Sequence, residues 1–599
     1  MTGKQSQSSA AKAHFRPPWV SLLYASGAFL GCLVFYGWQR SGNELGGPLL
    51  LGAGVLTVMQ LSKALDDHFK VQIHRRRRKR FKEYAWHYGE GRWANMNDLQ
   101  REELVGPDKH GVLMGSFEGK DVVSSSFNSG NIIGPPGSGK STSIYISTAF
   151  RTIDVIRKKG STKTAPSFIF NDPSAQIYAT TSKALEEAGY KIVVLSSWTE
   201  EISHLLNEEV KDSKIDIVAS TIDQIGRPKS LIDDGKRACK LLIPNEKPGT
   251  SEETRFFNMG GRSIILFAIL YLAWKCYKVT FKNVLNVLQS DVATLREMFV
   301  EVQEAAAANE AKREEEARQE AEKAGIDVED LPRRPLTIEE DLEKYLCSVA
   351  DGLRGIKDHA PEQFSAYMGT VLNATEPYGF SNVETHIQEG FDAKELKYGE
   401  RPVAVFLIYP AERVETHQAM LNAELTHMLE TVCKGRKGRT TIAMIDECFG
   451  IGYIPSILRF LAEGRKFGLR LFLGWQDMAQ AEHLYSKSGL AQILAAGEVL
   501  WASGVREPGF CQMLQKILSV RAVDDLSMNE RSRSSGPIAD ETFNNQHRSI
   551  PLMRDIRTEL ESDEALLIYK NMKPAKLTKV PYFSREEWLK MAGESPYGG

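Results

Sequence analysis

A chain of 599 residues, 42% hydrophobic and 25% charged, is too long for one ordinary domain and too apolar to be largely disordered; two soluble domains with appendages are expected. Its formal net charge of −2 excludes a nucleic-acid interface spread over the whole surface and leaves room for a local basic site or a lined channel. Seven cysteines without a C-x-x-C pair carry neither a zinc pattern nor a disulfide framework, which fits a reducing compartment.

The first element is an uncharged, mostly apolar run from Val20 to Gln39, with Trp19 and Trp38 near its ends. Its length suits a helix across a hydrocarbon core, with tryptophan at the interfaces. A shorter, glycine-rich apolar segment, Gly46 to Ser62, follows after the tight connection Arg40 to Leu45. Lys4, Lys12 and Arg16 precede the first segment, and Arg75-Arg76-Arg77-Arg78-Lys79-Arg80 follows the second, so both ends are predicted to be cytoplasmic. A cleaved signal peptide fits poorly, because the preceding tail is long and a second apolar segment follows closely. The basic run, just after a span, reads as a topology signal and a contact for anionic lipids rather than as a nucleic-acid arm.

Next come Tyr88 to Ala94 and a predicted hairpin tip, Gly115-Ser-Phe-Glu-Gly119. The short strand Asn131 to Ile133 leads into Gly134-Pro135-Pro136-Gly137-Ser138-Gly139-Lys140-Ser141-Thr142, which fits the P-loop pattern. Gly134, Gly137 and Gly139 are expected to adopt backbone angles closed to other residues, so that successive N–H groups turn inward around a polyphosphate. The helix predicted from Thr142 to Arg151 adds its amino-terminal partial charge. Lys140 is the candidate for the terminal phosphates of ATP, and Ser141 for Mg²⁺.

Beyond the loop, apolar runs predict strands at Ser167–Phe170, Lys191–Leu195, Val403–Tyr409, Thr441–Ile445, Leu471–Leu473, Glu498–Trp501 and Ala565–Tyr569. Helical patterns such as Ser182–Glu187 and Pro455–Arg465 alternate with them, which predicts an α/β fold with a mostly parallel sheet. Between Leu195 and Val403 the pattern is helical throughout. The apolar core of Arg262–Trp274 is too short for a comfortable span and reads as a buried helix. Glu301 to Ala324 is rich in alanine, glutamate, lysine and arginine, an exposed helix that serves as a solvated spacer or a docking surface. Gly325–Pro335 and Arg531–His547 read as polar loops.

The strand Thr441–Ile445 ends in Asp446-Glu447. Asp446 is the candidate for ordering the magnesium shell, and Glu447 for polarising the attacking water. The next strand ends at Gln476, placed to sense the γ-phosphate or that water if the two strands are neighbours. Arg465, in Gly464-Arg465-Lys466, is a candidate for supplying charge to a neighbouring subunit's phosphates.

Taken together, Asp446-Glu447, Gly464-Arg465-Lys466-Phe-Gly468, Gln476-Asp-Met-Ala-Gln480 and Tyr485 resemble the type IV secretion coupling proteins, the TraG/TraD/TrwB-like ATPases of conjugation and effector export. Gly91-Arg92-Trp93-Ala94, Asp172-Pro173, Arg401-Pro-Val-Ala-Val, Pro551 to Ile556 through Pro574, and Pro581-Tyr582-Phe583 extend the likeness in the family's order. It implies a RecA-like P-loop ATPase domain, an inserted all-α domain and an N-terminal transmembrane helical hairpin at the bacterial inner membrane. It also implies ATP and Mg²⁺ as ligands, a homo-hexamer, and other secretion components, relaxase-bound single-stranded DNA or effector proteins as partners. Lys140 and Ser141 match the Walker A positions, Asp446 and Glu447 Walker B, and Gln476 the third ATPase motif. Arg465 sits where a trans-acting arginine is proposed. Ser174-Ala175-Gln176 departs from the Lys-Gly-Glu of many relatives and receives no catalytic role, and the loop between the spans is much shorter than in many relatives.

The expected organisation is a cytoplasmic tail (1–18), a transmembrane hairpin (19–66), a basic juxtamembrane linker (67–110), the nucleotide-binding domain in two parts (111–200 and 399–583) around an all-α insertion (201–398), and a tail (584–599). The expected activity is ATP hydrolysis that drives substrate toward a secretion channel. The alternatives are a recruitment platform whose assembly ATP controls, and an FtsK-like double-stranded DNA translocase. No recognisable winged-helix module at the carboxyl end supports the latter.

Overall fold

The computed structural model describes residues 18–42, most of 51–65, and 92–597 apart from 107–108, 125–128, 223–227, 331–334, 380, 519, 528–543, 552 and 554. The tail before residue 18, the basic run Arg75–Arg80 and most of the 67–110 linker lie outside the described residues. The chain divides into two compact units, residues 1–91 with 518–552, and residues 92–517 with 553–599.

In the first unit, helix α1 (Pro18–Arg40) coincides with the first apolar run, and residues 51–59 are also helical. Phe29, Leu30, Leu33 and Val34 on α1, and Leu51, Val55 and Val58 on the second segment, are exposed. Cys32 Sγ and Thr57 Oγ1 approach to 3.8 Å. The same unit holds an antiparallel ribbon whose strands, Val520–Ser527 and Asn544–Pro551, pair from Val520↔Pro551 to Ser527↔Asn544. Residues 544–547, read from the sequence as polar loop, therefore lie in a strand. The stretch NNQH offers no apolar alternation, and the pairing rests on backbone hydrogen bonds.

The second unit is built on one eleven-stranded sheet. In chain order its strands are β1 (Leu113–Phe117), β2 (Lys120–Val123), β3 (Gly130–Ile133), β4 (Ser167–Asn171), β5 (Lys191–Leu195), β6 (Val403–Leu407), β7 (Thr441–Ile445), β8 (Leu469–Trp475), β9 (Val499–Ala502), β10 (Glu564–Tyr569) and β11 (Ala575–Thr578). The spatial order is β2-β1-β11-β10-β9-β3-β8-β7-β4-β6-β5. From β9 to β5 every neighbouring pair is parallel, and from β9 to β2 every pair is antiparallel. Every residue of β4, β6, β7 and β8 is buried, which is why these strands read as apolar runs rather than as alternation, although the buried Arg470 breaks the run in β8 and hides its first two residues. The turn between β1 and β2 falls at Glu118-Gly119, so Gly115 to Phe117 belong to the strand and not to the tip.

Register sets the site. Ile445 lies opposite both Asn171 and Leu473, and Ile133 opposite Trp475. The parallel strands therefore release Gly134, Asp172, Asp446 and Gln476 along one edge, the carboxyl edge where α/β sheets bind ligands. After the phosphate loop, Ser141–Tyr145 form a wide π-turn that becomes helix α2 (Ile146–Lys159), ending at Gly160 with φ 62°. The helix thus extends eight residues beyond the predicted Arg151. Helix α3 (Gln176–Glu187) packs beside it.

Between β5 and β6 the described chain is helical, as its pattern predicts, and packs in the same unit as the sheet. Helix α4 (Glu252–Trp274) is long and apolar enough to cross a membrane, yet Ile264 to Leu272 are buried within the unit. Gly260 faces Tyr367 so closely that a Cβ would lie 2.3 Å from its ring. Helix α5 (Val292–Ala324) starts nine residues before the predicted Glu301, capped by Asp291. It is not wholly solvated: Phe299 meets Phe267 edge-on at 4.6 Å, and the helix packs along α6 (Ile338–His359), with Asn309 donating to Glu343 at 2.8 Å. Gly325–Pro335 contains a 3₁₀ turn at Val328–Asp330. Where this helical stretch meets α7 (Ala411–Val432), His386 is enclosed between Asp212 (Nδ1–Oδ2 2.8 Å) and Glu424 (Nε2–Oε1 2.6 Å). Helix α8 (Ile457–Phe467) then crosses from β7 to β8.

Candidate nucleotide site

The phosphate loop is held before any ligand arrives. Gly134 N–H donates to Trp475 O at 3.0 Å, and Ser138 N–H to Pro135 O at 3.1 Å. Gly137 and Gly139 have φ of 77° and 88°, the left-handed region that favours glycine. Gly134 does not; its constraint is space, since a Cβ there would stand 2.4 Å from Ser138 Oγ and 2.7 Å from Ser503 O. Gly134 thus departs from the backbone angles that the sequence predicts for it. Lys140 is 7% exposed and its Nζ donates to Gly134 O at 2.5 Å. Burial pushes its pKa down against the opposing pull of Asp446 and Glu447. From outside the loop, Lys579 Nζ donates to Ser138 O at 2.9 Å.

Across the cleft stand the carboxylates. Ser141 Oγ donates to Asp446 Oδ2 at 2.7 Å, and Gln476 Nε2 donates to Glu447 Oε2 at 2.7 Å. β7 and β8 are indeed neighbours, which is how Gln476 reaches Glu447. Burial raises the pKa of both acids, with the Ser141 hydroxyl and Lys140 opposing it at Asp446, and Gln476 and Lys140 opposing it at Glu447. Each acid keeps one buried oxygen with no hydrogen-bond partner, Oδ1 of Asp446 and Oε1 of Glu447. A hydroxyl beside hard carboxylate oxygens is a donor set that suits Mg²⁺, so Ser141 and Asp446 fit the ion the sequence implies.

Pro135 to Thr142, Asp446, Glu447 and Gln476 share one cleft of about 930 Å³. Arg465 is not among them. It lies near the end of α8, before β8, and pairs with Glu498 at 3.6 Å, just ahead of β9. It is thus at the opposite end of the strands from its own phosphate loop, about 20 Å away at the rise of an extended strand. Among the other residues that line the cleft, three stand out that the sequence did not single out as site residues. Asn171, at the end of β4, is buried with neither amide atom partnered. Gln480 accepts from Gln476 N–H at 3.1 Å, and Phe583 reaches in from the carboxyl-terminal segment. Asn171 carries no spacing signal of its own; it simply precedes Asp172-Pro173. Asp172 accepts from Tyr178 N–H at 2.8 Å and so holds the start of α3, burial lifting its pKa to about 7 against that bond.

Residues 91–596 match the model of the family described as "Type IV secretory system Conjugative DNA transfer". Among curated relatives, the type IV secretion system-coupling protein VirD4 of Bartonella quintana is 20% identical over 294 residues, 45% of this chain and 45% of that protein. The conjugal transfer protein TraG of Rhizobium radiobacter is 19% identical over 242 residues, 40% of this chain and 37% of that protein. The chain thus spans less than half the length of the curated relatives it matches. Among solved structures, the bacterial conjugative coupling protein TrwBdeltaN70 in complex with sulphate superposes with a TM-score of 0.53 at 13% identity, covering 82% of this chain and 93% of that one. The plasmid coupling protein TrwB in complex with ADP and Mg²⁺ gives 0.52 at 13% identity, covering 82% and 94%. These likenesses bear on the fold, which is α/β with a mostly parallel sheet and flanking helices. The family match runs through both halves of the cleft, and the chain belongs to the type IV secretory system conjugative DNA transfer family.

Proposed function

We propose that this protein is a membrane-anchored P-loop ATPase that couples hydrolysis of Mg²⁺-ATP to the passage of relaxase-bound single-stranded DNA or effector proteins toward a type IV secretion channel. The observation that carries this reading is the cleft: a phosphate loop with a buried lysine faces two half-buried carboxylates, each with one buried oxygen unpartnered. The loop's N–H groups and the start of α2 receive the phosphates. Lys140 exchanges the Gly134 carbonyl for the terminal phosphate. Ser141 and Asp446 hold Mg²⁺, which when bound neutralises charge on the terminal phosphates. Glu447 Oε1 takes the proton of the attacking water while Gln476 fixes its other oxygen, and a pKa raised by burial makes the base stronger.

The anchor is a hairpin of α1 and the second apolar segment in the bacterial inner membrane, with both ends cytoplasmic and Arg75–Arg80 against anionic headgroups. The exposed apolar side chains of both segments support it. The working form is a homo-hexamer, in which Arg465 faces a neighbour's phosphates, and other secretion components are its partners. Measured on the full chain in lipid nanodiscs, turnover is expected to vanish in Lys140→Ala, and DNA or effector transfer to vanish in cells carrying it. Unchanged hydrolysis would overturn the site. Lost hydrolysis with normal transfer would overturn the motor and leave a recruitment platform.

A further inference from the structure

The phosphate loop and the carboxylates account for the phosphate half of a nucleotide, and the base half must meet something else. The carboxyl-terminal segment, residues 579–597, runs beside the loop. Lys579 Nζ donates to Ser138 O, and its Cδ would lie 3.8 Å from a Cβ placed on Gly139. Ser147 Oγ, on α2, donates to Val580 O at 2.7 Å. Tyr582 is buried, 6.1 Å from the Phe150 ring of the same helix. Trp588 is buried too, stacks on Phe150 at 6.2 Å, and donates to Asp154 Oδ2 at 2.7 Å. Between these two buried anchors Phe583 is left 52% exposed, and it lines the phosphate cleft. Its neighbours on both sides are packed on α2, so the ring is a preorganised apolar face of the cleft.

We propose that Phe583 is the nucleobase-stacking face of this site, presented by the carboxyl-terminal segment, and that the ligand is a nucleoside phosphate held by ring stacking as well as by its phosphates. The inference rests on the nucleotide reading above and adds the base subsite to it. A phenyl face meets any base through its π-surface, so ATP and GTP are held alike.

The test is equilibrium binding to the full chain in nanodiscs, with ATP, GTP and inorganic tripolyphosphate as probes. Phe583→Ala is expected to weaken ATP and GTP by about 10-fold, with tripolyphosphate unchanged, and Phe583→Tyr to bind all three as the parent does. Lys140→Ala is expected to weaken all three. Undiminished ATP affinity in Phe583→Ala, alongside its loss in Lys140→Ala, would overturn the base subsite and leave the nucleotide site standing. Equal loss of tripolyphosphate and ATP in Phe583→Ala would overturn it as well, since the segment would then be shaping the loop. A parent chain that binds none of the probes would take down the nucleotide reading itself.

Discussion

Two buried acidic clusters sit in the same compact unit, and they differ in how their charge is met. In the cleft, Asp446 and Glu447 are met by neutral donors, Ser141 and Gln476, and each keeps an oxygen unpartnered. At the junction with the helical stretch, Asp212 and Glu424 enclose one imidazole, each bonded to a different ring nitrogen of His386. Burial alone would strip that ring of its charge, but the Glu424 and Asp212 carboxylates hold its pKa up, at about 10. The junction is thus an ion cluster with its countercharge built in, although Glu424 Oε2 is itself buried and unpartnered. The cleft has carboxylates whose countercharge must come from outside. Buried acids by themselves do not mark a reactive site; open oxygens facing a cleft do.

The sharpest way to break this contrast is Glu447→Gln. Removing the base while keeping the shape and the Gln476 contact is expected to cut turnover by about 10³-fold and leave ATP binding intact, measured by single-turnover hydrolysis beside equilibrium binding. His386→Ala should do the reverse. It strands Asp212 and Glu424 without a cation, which costs about 3 kcal/mol of stability, read by hydrogen exchange around 381–386 and in α7, with ATP affinity preserved. The pH dependence follows from the raised pKa. The free imidazole titrates near 6.5, so the cluster's contribution is complete below that pH and is lost as pH rises toward 10. Glu447 gives the opposite limb: its raised pKa means turnover rises with pH until the carboxylate is ionised, above the ordinary glutamate range.

In the proposed ring, Arg465 extends the contrast between subunits. It lies at the other end of the strands from its own phosphate loop. Arg465→Ala is expected to lower turnover of assembled rings by about 10²-fold while leaving ATP affinity of the dilute chain unchanged. Equal loss in dilute and assembled protein would refute a role in trans.

Much of this was legible in the sequence because the parallel strands are buried on both faces. Lys191–Leu195 and Thr441–Ile445 stand where their apolar runs lie, and the residues that follow Ile445 are the carboxylates of the site. The antiparallel edge was harder. Lys120–Val123 and Ala575–Thr578 hold only two apolar residues each, too few to stand out from a loop. Gly134 was misread because its glycine serves packing and not dihedral freedom, a distinction that sequence does not carry. Asn171 and Phe583 were missed as site residues for a related reason. Their chemistry comes from neighbours far along the chain, Asn171 through the β4–β7 register and Phe583 through Tyr582 and Trp588 on α2.

The smallest effect concerns a further acid, the buried Asp172, which stands between the two clusters in kind. It has no cation partner; backbone N–H groups at the start of α3 hold it, and burial raises its pKa to about 7. A carboxyl whose folded pKa is raised gives its full stability below the unfolded value, near 3.9, and loses it as pH rises through the folded one. The unfolded chain releases the proton first, so this residue makes stability fall by up to about 1.4 kcal/mol per pH unit between those limits. Asp172→Asn keeps an oxygen for Tyr178 N–H and carries no titratable proton. It is therefore expected to flatten that part of the stability–pH curve, measured by urea unfolding at pH 5, 6 and 7, while leaving the alkaline loss due to His386 in place. An unchanged slope would mean that the α3 cap keeps Asp172 ionised despite its burial, and the acid would then belong with the charge-satisfied junction rather than with the cleft.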